Sequence, residues 1–367
     1  MRRGSVTAIS CRDGPVAVTG CSGFTGGHLV RELVIRGYKV RACLRDTRSW
    51  RGQDCVKYLE GLPNVEIFDG CDLFLPGSYH DAFRGCLGVF HVAAVLGNSA
   101  DGKSQPRGSG EVQEDVYEGG LSGTQNVIDA INASDSVKRL IYTSSTAAVR
   151  PNLGDQSVPD GYEWTEMDWA SDKSNQNFGA YARSKVDAER LVSKAAEQSD
   201  YWDVVTLNPA MICGPILFKA QVGQWIEQIG RLASGKKPNF PDSFDRSYDI
   251  IDVRDLVRAQ RLAIESAVDH RHSSGGARYI MAGTGGYSTM GLGTEITRMI
   301  KSEFPDFVVG QPETKANLAG PVEPPNTVHD CKKAKALLGA TIRPIQQTIR
   351  DVIESQIELG VIQPIIK

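Results

Sequence analysis

The feature that most constrains the fold of this chain is a repeated alternation of short apolar segments with segments long enough to form a helix. The first apolar segment, 15–20, ends in a glycine-rich turn, and apolar residues then recur at helical spacing as far as Gly37. The later apolar segments have the lengths of buried strands and cover residues 38–44, 65–68, 87–92, 139–143 and 204–207. Strands separated by helices build βαβ units, whose right-handed crossovers place helices on both faces of a parallel sheet. The sequence therefore predicts an α/β fold with a doubly wound parallel sheet.

The C-terminal third departs from this rhythm and predicts a smaller unit, a lid for the sheet domain. Its helical segments, 254–265, 289–302 and 345–359, alternate with connections that are rich in proline and glycine. At roughly 150 residues per domain, the 367 residues are enough for one large domain with such an addition. Residues 1–13 are polar and unpatterned, so we expect a loose leader before the first strand.

Two longer connections interrupt the alternation of strands and helices. Residues 97–114 are rich in glycine, serine and charged residues, which predicts an exposed excursion. Residues 150–177 contain Trp164 and Trp169, and two such large aromatic side chains in one loop indicate that it packs over other parts of the protein.

Charge and composition exclude several classes of partner. Lys and Arg number 41 against 44 Asp and Glu, a net charge of −3, and without a long basic run neither nucleic acid nor an anionic membrane is expected. No apolar run reaches the roughly 18 residues that span a bilayer, and no apolar stretch follows the basic start as in a secretory signal. The eight cysteines are scattered without a C-x-x-C pair, and the close histidine pair, His270 and His272, predicts a surface loop. We therefore expect a cytoplasmic protein with reduced thiols and no metal site.

The turn after the first strand has the composition of a phosphate-binding loop. Its sequence, Thr19-Gly20-Cys21-Ser22-Gly23-Phe24-Thr25-Gly26, places three glycines at intervals of three between a strand and a helix. A tight turn needs residues without a Cβ, the backbone must approach a pyrophosphate closely, and the helix N-terminus offers free N–H groups to the anion. This placement disfavours the alternative, a merely structural turn. The residues predicted to bind a dinucleotide here are Gly20, Ser22, Gly23, Phe24, Thr25 and Gly26.

The end of the second strand distinguishes between the two dinucleotides. Sites that prefer NAD place an acidic residue there to bind the ribose 2′-hydroxyl, whereas this chain has Leu44 followed by an arginine-rich segment. Guanidinium groups bind a phosphate in a forked geometry, so Arg41 and Arg45 are predicted to hold the 2′-phosphate of NADP(H). The alternative is a solvated helix start. After the third strand, Asp72 and Leu73 are predicted to lie at the adenine, although a surface turn explains Asp72 almost as well.

A tyrosine and a lysine four residues apart predict the reactive pair. Tyr181 and Lys185 lie at the start of a helical segment, so both side chains project from one face. A phenol loses its proton readily only near pH 10, and a nearby ammonium group stabilises the phenolate, which allows a tyrosine to act as general acid. Ser145, 36 residues upstream of the tyrosine, lies at the carboxyl end of a strand, where open α/β sheets bind ligands. Its hydroxyl can donate to a substrate carbonyl oxygen, but Ser144 and Thr143 are rivals for this role.

These motifs occur in the order seen in the extended short-chain dehydrogenase/reductases. The matching segments are the glycine-rich turn, His91-Val92-Ala93-Ala94, Thr143-Ser144-Ser145, Tyr181 with Lys185, and Asn208-Pro209. More narrowly, the chain resembles, over about residues 14–360, the branch that holds dihydroflavonol reductases, cinnamoyl-CoA reductases and fungal methylglyoxal/aldehyde reductases. The resemblance implies a Rossmann dinucleotide-binding domain, residues 14–212 and 247–272, and a smaller, discontinuous α/β substrate domain, residues 213–246 and 273–367.

The same resemblance assigns roles to individual residues. It implies a catalytic triad of Ser145, Tyr181 and Lys185, and a nicotinamide held by the segment at Pro209–Met211. The further cofactor contacts predicted in this way are Val92, Ala93, Ala94, Thr143, Tyr181, Lys185, Pro209 and Met211.

Departures from the plant enzymes leave the substrate open. Cinnamoyl-CoA reductases carry an N-W-Y-C-Y-G-K stretch where this chain has Gly179–Lys185, and their coenzyme A signature is not evident in residues 221–232. Flavonoid reductases have an asparagine five residues after the catalytic serine, where this chain has Arg150. The segment 145–149 is closer to the fungal aldehyde and ketone reductases. Arg150 suits a carboxylate or phosphate on the substrate if it faces the pocket, and is otherwise an exposed loop residue.

We therefore predict an NADPH-dependent reductase that transfers a hydride to the carbonyl of an aldehyde or ketone, with Tyr181 as general acid. The predicted substrate walls are Val95, Arg150, Met211, Phe218 and Trp225. A small-molecule carbonyl substrate and a monomer or homodimer are expected. One alternative is a sugar-nucleotide epimerase or dehydratase that retains NAD, against which the arginines argue. The other is a non-catalytic NADP-binding regulator, against which an intact triad argues.

Overall fold

The computed structural model describes residues 8–95, 110–151, 157–159, 162–173, 179–238, 249–267, 277–283, 292–311, 328–339 and 342–367. The strands are β1 (Val16–Thr19), β2 (Val40–Cys43), β3 (Val65–Phe68), β4 (Gly88–His91), β5 (Arg139–Thr143), β6 (Glu163–Trp164), β7 (Asp203–Pro209), β8 (Met211–Cys213), β9 (Ile250–Asp252), β10 (Arg278–Met281) and β11 (Val328–His329). The helices are α1 (Phe24–Ile35), α2 (Trp50–Leu59), α3 (His80–Phe83), α4 (Gly110–Ala133), α5 (Ala180–Gln198), α6 (Gln224–Ala233), α7 (Val253–Glu265), α8 (Leu292–Glu303), α9 (Lys332–Leu338) and α10 (Ile345–Glu358).

The main sheet has seven parallel strands in the order β10-β7-β5-β4-β1-β2-β3. In β1, Val16 pairs with Val40 of β2 on one side and with Gly88 of β4 on the other. The chain extends the sheet in both directions from β1, so the strand order reverses between β1 and β4. This is the doubly wound arrangement that the apolar segments predicted, and ligands of such sheets bind at the carboxyl edge beside the reversal.

Apolar side chains hold helices on both faces of the sheet. On one face, the main core contains Leu29 of α1 and Leu256 of α7. On the other face, Ile131 of α4 and Val192 of α5 pack against the strands. Strands covered on both sides read as continuous apolar runs, which is why they are recognisable in the sequence.

A smaller core lies where α6, α8 and α10 pack together. It includes Ile229 of α6, Ile300 of α8 and Val352 of α10. The two-stranded parallel sheet of β8 and β9 joins this core to the main one. Because alternate strand residues face opposite ways, Met211 packs in the smaller core and Ile212 against the main core.

The packing places several segments differently from the predicted domain division. β10 pairs with β7 in the main sheet, and Ala334 of α9 packs in the main core, although both elements fall within the predicted substrate domain at 273–367. Residues 8–13 were expected to belong to a loose leader, yet Ile9 is buried and its N–H donates to the carbonyl oxygen of Ile264 at 3.1 Å. Apolar patterning indicates that a segment is buried but not which core receives it, and both differences have this cause.

The loop with two tryptophans packs as predicted. Trp164 is fully buried and packs with Ile280 of β10. The ring of Trp169 lies 3.9 Å from the guanidinium carbon of Arg278. Residues 97–109 of the predicted excursion lie outside the described residues, and the remainder of that segment forms the start of α4.

The structure also provides observations on membrane spans, metal binding and the state of the cysteines. Within the described residues, no helix combines the length and the apolar character needed to cross a membrane. The same part of the chain holds no group of three or more His, Cys, Asp or Glu side chains that could bind a metal ion. His270 and His272 lie outside it. The eight cysteines are free thiols.

Candidate active site

The turn between β1 and α1 is so tight that only glycine fits at two of its positions. Gly20 has φ +73°, and a Cβ there would lie 2.9 Å from the backbone of Ala93. A Cβ on Gly26 would lie 2.2 Å from the carbonyl oxygen of Gly20. Gly23 caps α1 without a side-chain hydrogen bond, and the first turn of the helix carries no acidic residue. The N–H groups at this helix end therefore suit an anion, and the cradle fits the pyrophosphate of a dinucleotide.

Two side chains that the motifs did not single out hold the loop after β8 against this turn. Gln221 donates from its side-chain amide to the carbonyl oxygens of Gly23 and Phe24 at 3.4 Å each. His28 donates from Nε2 to the carbonyl oxygen of Pro215 at 2.7 Å. Burial lowers the pKa of His28 to about 4, so the ring is neutral near pH 7.

Thr19 ties together the carboxyl ends of β1 and β4. Its hydroxyl oxygen accepts from the N–H groups of Val92 at 3.0 Å and Ala93 at 3.1 Å, and its proton is donated to Nδ1 of His91 at 2.8 Å. Burial, with the Lys185 ammonium nearby, lowers the pKa of His91 to about 3. The ring is therefore neutral and carries its proton on Nε2. Neither Thr19 nor His91 was predicted to have a site role, although a polar residue that ends an apolar strand is a signal for one.

Of the two arginines that were predicted to bind the 2′-phosphate, Arg45 is placed to do so, whereas Arg41 is bonded to other parts of the protein. Arg45 follows the strand, is exposed, and has no hydrogen-bond or ion-pair partner in the part of the chain that the structure describes. Leu44 before it is buried, so no acidic group occupies the expected ribose position. Arg41 donates to Glu66 at 3.2 Å and to the carbonyl oxygen of Arg84. The structure does not bring Arg41 to the predicted phosphate site, because a side chain within the strand reaches over the sheet face to α3 and not past the carboxyl edge.

Asp72 lies in a tightly bonded turn after β3. Its carboxylate accepts from the N–H of Phe74 at 3.0 Å, and its carbonyl oxygen accepts from the Ser78 hydroxyl at 2.8 Å and from the Asn126 amide at 3.2 Å. These bonds fix the turn, and the contact of Asp72 with adenine stays a prediction. A small cavity behind the turn is lined by residues that include Leu73, His91, Ala93, Ala94, Val95 and Lys185.

Tyr181 and Lys185 lie on α5 as their spacing predicts. Tyr181 is in the first turn of the helix and is 37% exposed. Lys185 is buried, and its ammonium donates to the carbonyl oxygen of Thr143 at 3.3 Å. The same ammonium nitrogen lies 5.8 Å from the centre of the Tyr181 ring. The end of β5 thus fixes the lysine beside a phenol that remains open to solvent.

The three hydroxyls at the carboxyl end of β5 have different partners and different burial, and these differences distinguish the rivals. Thr143 accepts from the side-chain amide of Gln260 at 2.8 Å. Ser144 is buried and donates its proton to Glu189 at 2.5 Å. Ser145 accepts at 3.1 Å from a backbone N–H two residues later, in the 3-10 helix that it caps. Neither Thr143 nor Ser145 uses its hydroxyl proton in these bonds, but Thr143 is buried whereas Ser145 is only half-buried. This arrangement favours Ser145 as the member of the three that donates to a substrate.

The residues predicted for the substrate wall lie in different places. Phe218 is buried in the main core, with its ring centre 5.4 Å from that of Tyr58. Its place in the substrate wall stays a prediction, and its burial indicates a packing role, because apolar loop residues fill a core as readily as they line a pocket. Trp225 packs against the smaller core, and Arg150 is half-buried after the 3-10 helix. The predicted nicotinamide segment, Pro209–Met211, links β7 to β8.

Similarity to known proteins covers nearly the whole chain. Residues 16–275 match the NAD dependent epimerase/dehydratase family. The chain is 30% identical over 346 residues to the cinnamoyl-CoA reductase CAD2 of Medicago truncatula, which covers 93% of this chain and 94% of that protein.

Solved structures share the fold. Vestitone reductase from alfalfa (Medicago sativa) superposes with a TM-score of 0.69 at 27% identity, and the match covers 95% of this chain and 99% of that one. Yeast methylglyoxal/isovaleraldehyde reductase Gre2, complexed with NADPH, superposes with a TM-score of 0.73 at 21% identity and the same coverage. The chain therefore belongs to the NAD dependent epimerase/dehydratase family, that is, to the extended short-chain dehydrogenase/reductases that its motifs predicted.

Proposed function

We propose that this protein is an NADPH-dependent reductase that transfers a hydride to the carbonyl of an aldehyde or ketone. One observation carries the proposal: the phenol of Tyr181, the buried ammonium of Lys185 and the unused hydroxyl proton of Ser145 occupy the carboxyl edge of the sheet. Relatives that are named as reductases support the same class of reaction.

NADP(H) fits the residues around this edge. The turn from Gly20 to Gly26 and the N-terminus of α1 would hold the pyrophosphate, and Arg45 would hold the 2′-phosphate. Lys185 would bind the nicotinamide ribose. When bound, NADPH supplies the hydride that the carbonyl carbon accepts.

Side chains of the protein bind and protonate the oxygen of that carbonyl. Ser145 donates a hydrogen bond to it and orients it, and Tyr181 delivers the proton as the alkoxide develops. The Lys185 ammonium stabilises the phenolate that Tyr181 leaves behind. Because Thr143 holds this ammonium through its carbonyl oxygen, the charge is in place before the reaction begins.

The test is NADPH oxidation over a panel of aldehydes, diketones, flavanonols and acyl-CoA thioesters, with Tyr181→Phe beside the wild type. The variant should lose a factor of about 10²–10⁴ in kcat, the usual contribution of a general acid. Tyr201→Phe is the matched control, since Tyr201 is 76% exposed on the same chain. No turnover on any compound, or equal turnover by Tyr181→Phe, would refute the mechanism.

The family also contains epimerases and dehydratases, which return the hydride to their substrate. Analysis of the cofactor that purifies with the protein, together with an assay on sugar nucleotides, identifies that alternative. A protein that purifies with bound NAD and converts a sugar nucleotide without consuming NADPH would be such an enzyme. The arrangement at Arg45, which offers an exposed guanidinium and no acidic group, favours NADP(H) and therefore a reductase.

A further inference from the structure

Helix α5 carries a buried acidic residue in addition to the proposed catalytic pair. Glu189 follows Lys185 by four residues, as Lys185 follows Tyr181, so the three side chains lie along one side of the helix. The Glu189 side chain is fully buried. A buried carboxylate persists only where ion pairs and hydrogen bonds compensate for the lost water, so its partners indicate what it holds in place.

Glu189 binds one residue in each of two neighbouring strands, β7 and β10, and one residue that directly follows a third, β5. Ser144, which follows β5, donates its hydroxyl proton to Oε2 at 2.5 Å, and Asn208 of β7 donates from Nδ2 to the same oxygen at 2.8 Å. Arg278 of β10 donates from Nε to Oε1 at 2.5 Å. The Arg278 guanidinium is in turn held by two carbonyl oxygens of the loop at 166–168. One carboxylate thus joins the catalytic helix to this half of the sheet.

The partners of Glu189 also hold the backbone of Ser145, at its own carbonyl oxygen and at the residue before it. Asn208 also donates from Nδ2 to the carbonyl oxygen of Ser145 at 3.2 Å. Ser144, directly before it, is bound to Glu189 through its side chain and to the carbonyl oxygen of Leu207 through its N–H at 2.8 Å. The Oδ1 atom of Asn208 is buried and has no hydrogen-bond partner among the described residues, so the two acceptors set the orientation of this amide. The place of the Ser145 backbone therefore depends on Glu189.

We propose that Glu189 is a positioning residue, which fixes the Ser145 hydroxyl where it and the Tyr181 phenol can donate to the same carbonyl oxygen. This inference rests on the proposed reductase function. Glu189 is buried beneath the Ser145 segment, so its effect on the reaction passes through Ser145. A displacement of a catalytic group by about 1 Å lowers rates by about 100-fold. Loss of the carboxylate should therefore lower kcat and leave the KM for NADPH unchanged.

The test replaces Glu189 with Gln, which keeps the shape of the side chain, removes its charge and turns one acceptor into a donor. Asp203→Asn is the matched control, because Asp203 forms a buried bidentate ion pair with Arg139 at the amino ends of β7 and β5. Both variants break one buried carboxylate–guanidinium pair, so both should lower the Tm. Only Glu189→Gln should also lower kcat, by about 100-fold.

A double-mutant cycle with Ser145→Ala separates positioning from general damage. If Glu189 acts through Ser145, Glu189→Gln lowers kcat no further once the Ser145 hydroxyl is gone. If Glu189→Gln does not fold, Ser144→Ala takes its place in the cycle, since it removes one hydrogen bond and no charge, and a smaller loss with the same dependence on Ser145 is expected. Losses that multiply in the double variant, or an equal loss of kcat in Asp203→Asn, would overturn the proposal.

Hydrogen–deuterium exchange gives a second readout that needs no turnover. Glu189→Gln, or Ser144→Ala in its place, should speed amide exchange in residues 143–149, and Asp203→Asn should not. If the wild-type protein reduces no carbonyl compound, the proposed function fails, whereas the exchange rates still decide whether Glu189 orders the Ser145 segment. Unchanged exchange in that segment would overturn the inference.

Discussion

Neighbouring side chains with the same functional group have different roles because they have different hydrogen-bond partners. Thr143, Ser144 and Ser145 present three hydroxyls in a row, but Gln260 binds the first and Glu189 accepts a proton from the second. On sequence alone the three were rivals, because these partners lie 117 and 45 residues away and belong to no motif that the chain displays. The type of residue and its place at a strand end were predictable, whereas the individual role depended on packing.

At the same scale, we predict that Arg45 sets the preference between the two dinucleotides. Arg45→Gln should raise the KM for NADPH by about 10-fold or more and leave that for NADH unchanged, since a charge-assisted bond contributes about 1.5–3 kcal/mol. Arg48→Gln is the control, because Arg48 is 90% exposed and pairs with Asp46. Steady-state kinetics with both cofactors measure the effect. Equal losses with NADH and NADPH, or the same loss in Arg48→Gln, would argue against the assignment.

At the scale of elements, the strands and their parallel, doubly wound arrangement follow from the sequence where each strand is an apolar run beside a helix-length segment. The turn between β1 and α1 was predictable as well, because a left-handed φ and close backbone contacts exclude most residue types. β10 was not predictable, since a four-residue strand joins the sheet only through its pairing with β7. The spacing of apolar residues predicts that a segment is buried. It does not predict which distant segment a strand pairs with.

Gly20→Ala tests whether the close approach of β1 and β4 builds the cofactor cradle. Gly20 and Gly85 have φ of +73° and +77°, but only at Gly20 would the new Cβ meet backbone, that of Ala93 at 2.9 Å. Alanine in this conformation costs about 1–2 kcal/mol, so Gly85→Ala should lose about this much stability, and Gly20→Ala should lose more because its Cβ also collides with the Ala93 backbone. Only Gly20→Ala should weaken NADPH binding, by about 10-fold or more, which corresponds to about 1.4 kcal/mol. Fluorescence titration measures the affinity for NADPH. Equal affinities of the two variants would refute the proposal that this turn binds the cofactor.

At the scale of the whole molecule, ion pairs fix the smaller unit against the sheet domain. Arg254, at the start of α7, pairs with Asp252 of β9 and with Asp351 of α10, both at 2.6 Å. Arg343 pairs with Asp255 across the same boundary. The existence of a second unit was predictable from the change in composition. Its boundary was not, because a boundary consists of contacts between segments that are distant in sequence.

Three buried histidines predict how stability depends on pH. Burial lowers the pKa of His28 to about 4 and that of His91 to about 3, and it lowers the pKa of His329 as well, whereas a histidine in an unfolded chain has a pKa of about 6.5. The unfolded state therefore binds protons that the folded state does not. The stabilisation is complete above about pH 6.5, and between about pH 6.5 and pH 4 the free energy of unfolding falls by about 1.4 kcal/mol per pH unit for each of His28 and His91, with a contribution of the same sign from His329.

Urea unfolding at pH 7, 6 and 5 measures this slope. His28→Gln removes one of these groups and should reduce the slope by about 1.4 kcal/mol per pH unit. A free energy of unfolding that stays constant over this range, or a slope that His28→Gln leaves unaltered, would show that the buried rings do not titrate in this way.

The most direct test of the central claim follows deuterium from NADPH that carries two deuterium atoms at C4. Mass spectrometry of the product of any carbonyl compound that the protein turns over is combined with the amount of NADPH consumed. The account predicts one deuterium and one oxidised NADPH for each alcohol molecule, and the loss of both in Tyr181→Phe. Product without deuterium, or turnover without net consumption of NADPH, would contradict a reductase and indicate an enzyme that returns the hydride to its substrate.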